Sequence, residues 1–170
     1  MDKIVAAVTI AMIQENEGDP RRIEHSMKVF AYAQNLGVLE DLEPEKQQIL
    51  EITALLHDIG IHVSEQKYNS SASNYQEIEG PLVAGEILRK MQLPPHVVER
   101  ICYIISRHHT YSAIDGIDFQ LLVEADFLVN SVEDKMSESQ ITSFPQKYFK
   151  SKSGKYFLRM LFPDYFKDLI

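Results

Sequence analysis

The sequence predicts an all-α protein, and three observations lead there. Apolar residues recur at spacings of three, four and seven along most of the chain, the pattern of a helix with one buried face. Strand-like alternation is scarce. Glycine and proline fall mostly between the periodic segments, where helices stop and start. With 170 residues and no repeat, low-complexity tract or linker, the chain suits one domain over residues 1–170 with a full core.

The first helix is expected from about Asp2 to Glu15. Its apolar run, Ile4 to Ile13, has about half the roughly 20 residues needed to cross a membrane. A single lysine precedes it, and Gln14-Glu15-Asn16-Glu17 follows where a leader would carry a small-residue cleavage site. Gly18-Asp19-Pro20 then breaks the chain and starts a second helix, with Asp19 as cap and Pro20 in the first turn. It runs to about Leu36, and Gly37 ends it. A third opens at Pro44 and ends at Gly60. Residues 62–76, "HVSEQKYNSSASNYQ", read as a long polar loop, a feature often tied to function. A fourth helix covers Pro81 to Met91, and a fifth runs from Pro94-Pro95 to His108. "SAIDGID" is a turn, with Asp115 or Asp118 available to cap a sixth helix from Phe119 to Val132. From Ser137 on, two helices are expected, broken near Ser151–Gly154.

Charge narrows the partners. The balance, 17 − 25 = −8, gives no attraction for a nucleic-acid backbone without a dense basic patch. The weak cluster Lys147, Lys150, Lys152 and Lys155 reads as a solvated helix end. One cysteine, Cys102 in an apolar helix, allows no intrachain disulfide and fits a reducing compartment. The expectation is a cytoplasmic protein with no membrane or nucleic-acid partner.

Several ionisable residues sit on apolar helical faces. His25 aligns with Val29, Tyr32 and Leu36, and His57 with Leu50 and Ala54. Asp126 aligns with Phe119, Leu122, Val123 and Val129, and His108 with Ile101, Ile104 and Ile105. In "ALLHDIGI" the imidazole of His57 is followed at once by the carboxylate of Asp58. Any one of these reads as a core histidine bonded to a carbonyl, or as an ion-pair partner. Together they suggest more, because buried charges are usually paired or bound to metal, and a divalent ion accepts imidazole and carboxylate together.

This arrangement resembles the H…HD…D signature of the HD-domain metal-dependent phosphohydrolases. His25 is followed by His57-Asp58 thirty-two residues later, and by Asp126 sixty-eight further on. "RRIEHSMKVFAYAQNLG", "ALLHDIG" and "LLVEADFLVN" look like the family's three ligand helices, so the resemblance spans about residues 20–132. It implies a helical bundle of the HD-domain type, with residues 133–170 as C-terminal helices. It also implies that His25, His57, Asp58 and Asp126 bind one divalent metal: manganese, iron, cobalt, nickel, zinc or magnesium. Such an ion would lower the pKa of its water and polarise a phosphoryl group. The implied activity is hydrolysis of a small phosphoester such as a nucleotide. The alternative is a non-catalytic module, a metal-bound ligand sensor or scaffold.

Two departures bear on that reading. Many members continue the doublet with a lysine, and Ile61 stands there. Members with two metals carry two further histidines; His108 matches one, whereas the other would fall near Glu79 or Gly80. Beyond the ligands, Asp58 and His108 are the catalytic candidates. Arg22, one turn before His25, could clamp a phosphate. Lys67 and Tyr68 in the polar loop could cover a substrate, and Glu79 could act as a base or contact substrate. His109 is a weaker candidate, while His62 and His96 have only their residue type to recommend them. The aromatic stretch "KYFLRMLFPDYF" could cover a second copy in a homo-oligomer.

Overall fold

A computed structural model describes residues 3–167. Among these the chain is helical and contains no strand. The helices are α1 (Lys3–Glu15), α2 (Pro20–Leu39), α3 (Pro44–Leu56), α4 (Ile61–Tyr68), α5 (Ser73–Lys90), α6 (Pro95–Ile105), α7 (Ile117–Glu133), α8 (Glu138–Tyr148) and α9 (Lys152–Leu161). A short 3-10 turn, Tyr111–Ala113, precedes α7. Asp2, where the first helix was expected to begin, lies outside the described residues.

The centre is built from α3 and α7. Ile49 to Leu56 of α3 are all buried, and most of α7 is too. Helices α1, α2, α6 and α7 pack around α3, and their apolar faces join one core. Most helix starts follow the local signals. Asp19 accepts the Arg22 backbone N–H at 3.1 Å, with Pro20 in the first turn of α2. Ser137 and Gln140 form a capping box at α8. Ser151 caps α9 through Gly154 N. The C-terminal helices are fastened by a fully buried carboxylate: Glu124 accepts Lys150 N at 2.7 Å, Ser151 N at 3.0 Å and the Ser151 hydroxyl. With the Gln120 side-chain amide at 2.7 Å, four donors offset the cost of burying that charge.

Four expectations need correction. Gly37 does not end α2, which continues to Leu39. The glycine is there for packing: a Cβ on it would lie 2.1 Å from Gln47 Oε1 of α3. The chain instead turns at Asp41, in the left-handed region at φ 53°. The polar loop over 62–76 is mostly helix, α4 and the start of α5 joined by residues 69–72. Polar composition misled because α4 lies on the surface and buries only Ser64; the stacked rings of Tyr68 and Tyr75, 4.2 Å apart, tie it to α5. Pro81 consequently lies inside α5 and does not start it. The cap position of α7 is held by Gly116, not by Asp115 or Asp118; Asp118 lies inside the first turn, where it accepts the Phe119 N–H at 3.0 Å, and the fork of Arg100 holds both aspartates at 2.7–3.0 Å.

α3 and α6 stop earlier than expected, and this shapes the site. His57–Gly60 is a turn between α3 and α4, and 106–109 is a turn after α6. These turns carry His57, Asp58, His108 and His109.

A candidate metal centre

His25 comes from α2, His57 and Asp58 from the turn after α3, and Asp126 from α7. Their donor atoms converge. His25 Nε2 lies 3.3 Å from His57 Nε2 and 3.3 Å from Asp126 Oδ1. His57 Nε2 lies 3.5 Å from both Asp58 Oδ2 and Asp126 Oδ1. Asp58 Oδ2 is 3.7 Å from His25 Nε2. Both histidines are buried, while the two carboxylates are partly open.

The opposite ring nitrogens are fixed by partners. His57 Nδ1 donates to Ala54 O at 2.9 Å, and His25 Nδ1 meets Glu133 Oε2 at 2.9 Å. An acceptor at Nδ1 keeps a proton there, so Nε2 is the nitrogen each ring turns toward the other donors. Such outer contacts orient metal-ligating histidines. Glu133 was not anticipated, although it lies two turns beyond Asp126 on the same helix; Lys28 Nζ holds its other oxygen at 2.9 Å.

The electrostatics match a cation site. Burial opposes a charge on His57, but Asp58 and Asp126 outweigh it and hold the imidazole at about 9. Burial likewise opposes charge on Asp58 and Asp126, yet their histidine neighbours hold both well below the usual carboxylate range. Protons on the imidazoles therefore fill the electrostatic place of a cation.

A second group of donors adjoins the first. Asp58 Oδ1 lies 3.4 Å from His108 Nε2. Asp58, His108 and His109 each bring a donor atom within 4.8 Å of the others, as His25, His57 and Asp58 do. His108 Nδ1 bonds Ile105 O at 2.7 Å, whereas its buried Nε2 has no hydrogen-bond partner. Its charged neighbour is the Asp58 carboxylate at 3.4 Å, and a buried nitrogen without a hydrogen bond beside a carboxylate is a place a cation would satisfy. The donor set thus fits a divalent ion. Burial, with His108 alongside, pushes His109 down to about 4, so it is neutral near pH 7. Gln76 and Glu77 of α5 hold it, at 3.1 Å to its Nε2 and 3.1 Å to its N–H.

The expected outer residues divide. Arg22 shares a cavity of about 450 Å³ with His25, Asp58, Ile61, Gln76 and Asn130. Its guanidinium is steered by Glu65 at 2.7 Å, Asp19 at 3.3 Å and His62 at 3.1 Å. Lys67 and Glu79 are placed elsewhere. They pair with each other at 2.7 Å, Tyr68 donates to Glu79 at 2.8 Å, and Lys67 and Glu79 line a different cavity. The added helix α4 lets Lys67 reach Glu79. His96 pairs with Glu45 on the surface.

The backbone brings the elements unusually close here. A Cβ on Gly60 would lie 2.4 Å from Gly80 N and 2.7 Å from Gly80 Cα. The turn bearing the His57-Asp58 doublet is therefore pressed directly against α5.

Comparison with known proteins agrees with this geometry. The HD domain family is matched over residues 22–142. The chain belongs to the HD-domain family. A crystal structure described as a predicted HD superfamily hydrolase, from an uncultured Thermotogales bacterium, superposes with a TM-score of 0.65. It is 19% identical, covering 92% of this chain and 82% of that one, so it supports the fold. No curated protein matches the sequence. As an HD-domain protein, the chain has a cluster of His25, His57, Asp58 and His108 able to bind a metal. No helix among the described residues is long and apolar enough to cross a membrane.

Proposed function

We propose that this HD-domain chain is a cytoplasmic, metal-dependent phosphohydrolase acting on a small phosphoester, a nucleotide in particular. The observation that carries the reading is that His25 Nε2 and His57 Nε2, 3.3 Å apart, each lie 3.3–3.7 Å from carboxylate oxygens of both Asp58 and Asp126 beside a polar cavity. A divalent ion held there supplies Lewis-acid polarisation and a more acidic water.

The protein's own groups do the rest. Asp58 presents Oδ2 to His25 and His57 and Oδ1 to His108, so it joins the two halves of the site. Arg22, held by Glu65 and Asp19, binds a phosphate from the cavity wall, where Ile61 offers no charge. His108 stabilises charge or hands a proton to the leaving oxygen, an effect typically worth about 10²–10⁴-fold.

The test is phosphate release from a panel of phosphoesters in the presence of each candidate metal. Arg22→Ala and His108→Ala are expected to keep the fold and lose most turnover, Arg22→Ala mainly through KM. No hydrolysis by protein of verified metal content, or wild-type kinetics in both variants, would overturn the proposal in favour of a binding role.

A further inference from the structure

Three side chains of α7 reach the metal centre from one helical face. Asp126, Asn130 and Glu133 follow at i, i+4 and i+7, spacings that set side chains along one stripe. Asp126 brings Oδ1 to 3.3 Å from His25 Nε2 and 3.5 Å from His57 Nε2, and Glu133 meets His25 Nδ1. Asn130 lies between them on that face. Its Nδ2 donates to Asp126 Oδ1 at 2.8 Å, the same oxygen that faces both imidazoles. The direction of this contact is fixed, because an ionised carboxylate only accepts and the amide must turn its nitrogen toward it. Rotation of a carboxylate about χ2 is soft, so a hydrogen bond helps decide which oxygen faces the imidazoles. Asn130 lines the polar cavity and also a second one, of about 260 Å³, walled by Tyr111, Phe127 and Phe144. Its carbonyl oxygen, turned away from Asp126, can therefore be met by water, and the amide serves Asp126 at no cost in burial.

We propose that Asn130 is a positioning residue: its N–H holds Asp126 with Oδ1 toward the two imidazoles and so presets that carboxylate for a divalent ion. The proposal rests on the metal site of the reading above and not on its substrate. Outer hydrogen bonds of this kind orient metal ligands, and losing one typically weakens metal binding about 10–100-fold. Two features suit an asparagine to the task. The amide is uncharged, so it brings no positive charge to compete with an ion, as a lysine or arginine donor would. It also comes from the ligand's own helix, one turn on, so no other element has to be in place for the contact to form. An ion would take the place of the imidazole protons that face Oδ1, whereas the Asn130 N–H belongs to no ligand and stays.

The test is manganese affinity, measured by competition with a coloured chelator, in Asn130→Leu, Asn130→Ala and Asn130→Gln. Melting of the metal-free variants checks the fold alongside. Asn130→Leu keeps the size of the side chain without the donor, and Asn130→Ala removes both. Asn130→Gln returns an amide that can reach an aspartate one turn away. Affinity is expected to fall about 10–100-fold in Asn130→Leu and Asn130→Ala, and Asn130→Gln is expected to recover most of that loss. Should Asn130→Leu fail to fold, Asn130→Ala and Asn130→Gln give the same comparison. Wild-type affinity in Asn130→Leu or Asn130→Ala would overturn the proposal. Equal weakening in all three would overturn it too, because the amide hydrogen bond would then not be what the ion needs. Wild-type protein that binds no manganese would overturn the metal site itself, and this proposal with it.

Discussion

Removing the metal should reverse the pH dependence of stability. In the metal-free protein His57 is buried, yet Asp58 and Asp126 at 3.5 Å hold its imidazole at about 9 against an ordinary 6.5. A group whose pKa is raised by folding contributes stability that is fully present below its unfolded pKa. That contribution is lost as pH climbs through the folded value. At about 1.4 kcal/mol per unit, the rise from 6.5 to about 9 corresponds to about 3 kcal/mol. His25 is also raised: burial opposes it, but Asp126 and Asp58 prevail. For a chain of this size 1 kcal/mol moves the melting temperature by about 2–4 °C. The metal-free protein should therefore melt on the order of 10 °C lower at pH 9.5 than at pH 6.5. The loaded protein should show the opposite trend between pH 5.5 and 8, because a metal needs deprotonated imidazoles and its binding releases their protons. Calorimetric melts of chelator-treated, dialysed protein and of manganese-loaded protein across this range make the comparison. Metal-free protein that melts as high at pH 9.5 as at pH 6.5 would refute the reasoning, since the carboxylates would then not be stabilised by histidine protons.

Three further outcomes are expected. Glu133→Ala frees His25 Nδ1 from its 2.9 Å partner and should weaken metal affinity about 10–100-fold, read by competition with a coloured chelator; unchanged affinity would show that Glu133 does not orient the ligand. Gly60→Ala places a Cβ 2.4 Å from Gly80 N, a clash with backbone that should cost about 1–3 kcal/mol or more, seen as a lower melting temperature; a melt within 1 °C of wild type would mean that α5 moves away freely. Lys67→Ala breaks a pair with Glu79 outside the site cavity and should leave phosphate-release kinetics within about twofold of wild type; a larger loss would return Lys67 to the substrate.

The sequence by itself determined the helical class, because that is written in local spacing, and the same spacing marked the residues that the family resemblance then offered as candidate ligands. A buried face must repeat at the helical period, and a histidine or aspartate on such a face is conspicuous. Hence His25, His57, Asp58 and Asp126 were legible before any coordinates. Polar surface helices leave no such mark, so α4 read as loop. With α4 misread, the placement of Lys67 and Glu79 was misread as well. Helix ends were also ambiguous: Gly37 carries a stop signal but serves packing against Gln47. Tertiary structure alone decided which side chains meet across long separations. Glu133 reaches His25 over 108 residues, and Gln76 reaches His109 over 33. Tyr111, Phe127 and Phe144 form one wall from three elements. Nothing in their local sequence marks these pairings, because each depends on how packed helices set one surface against another.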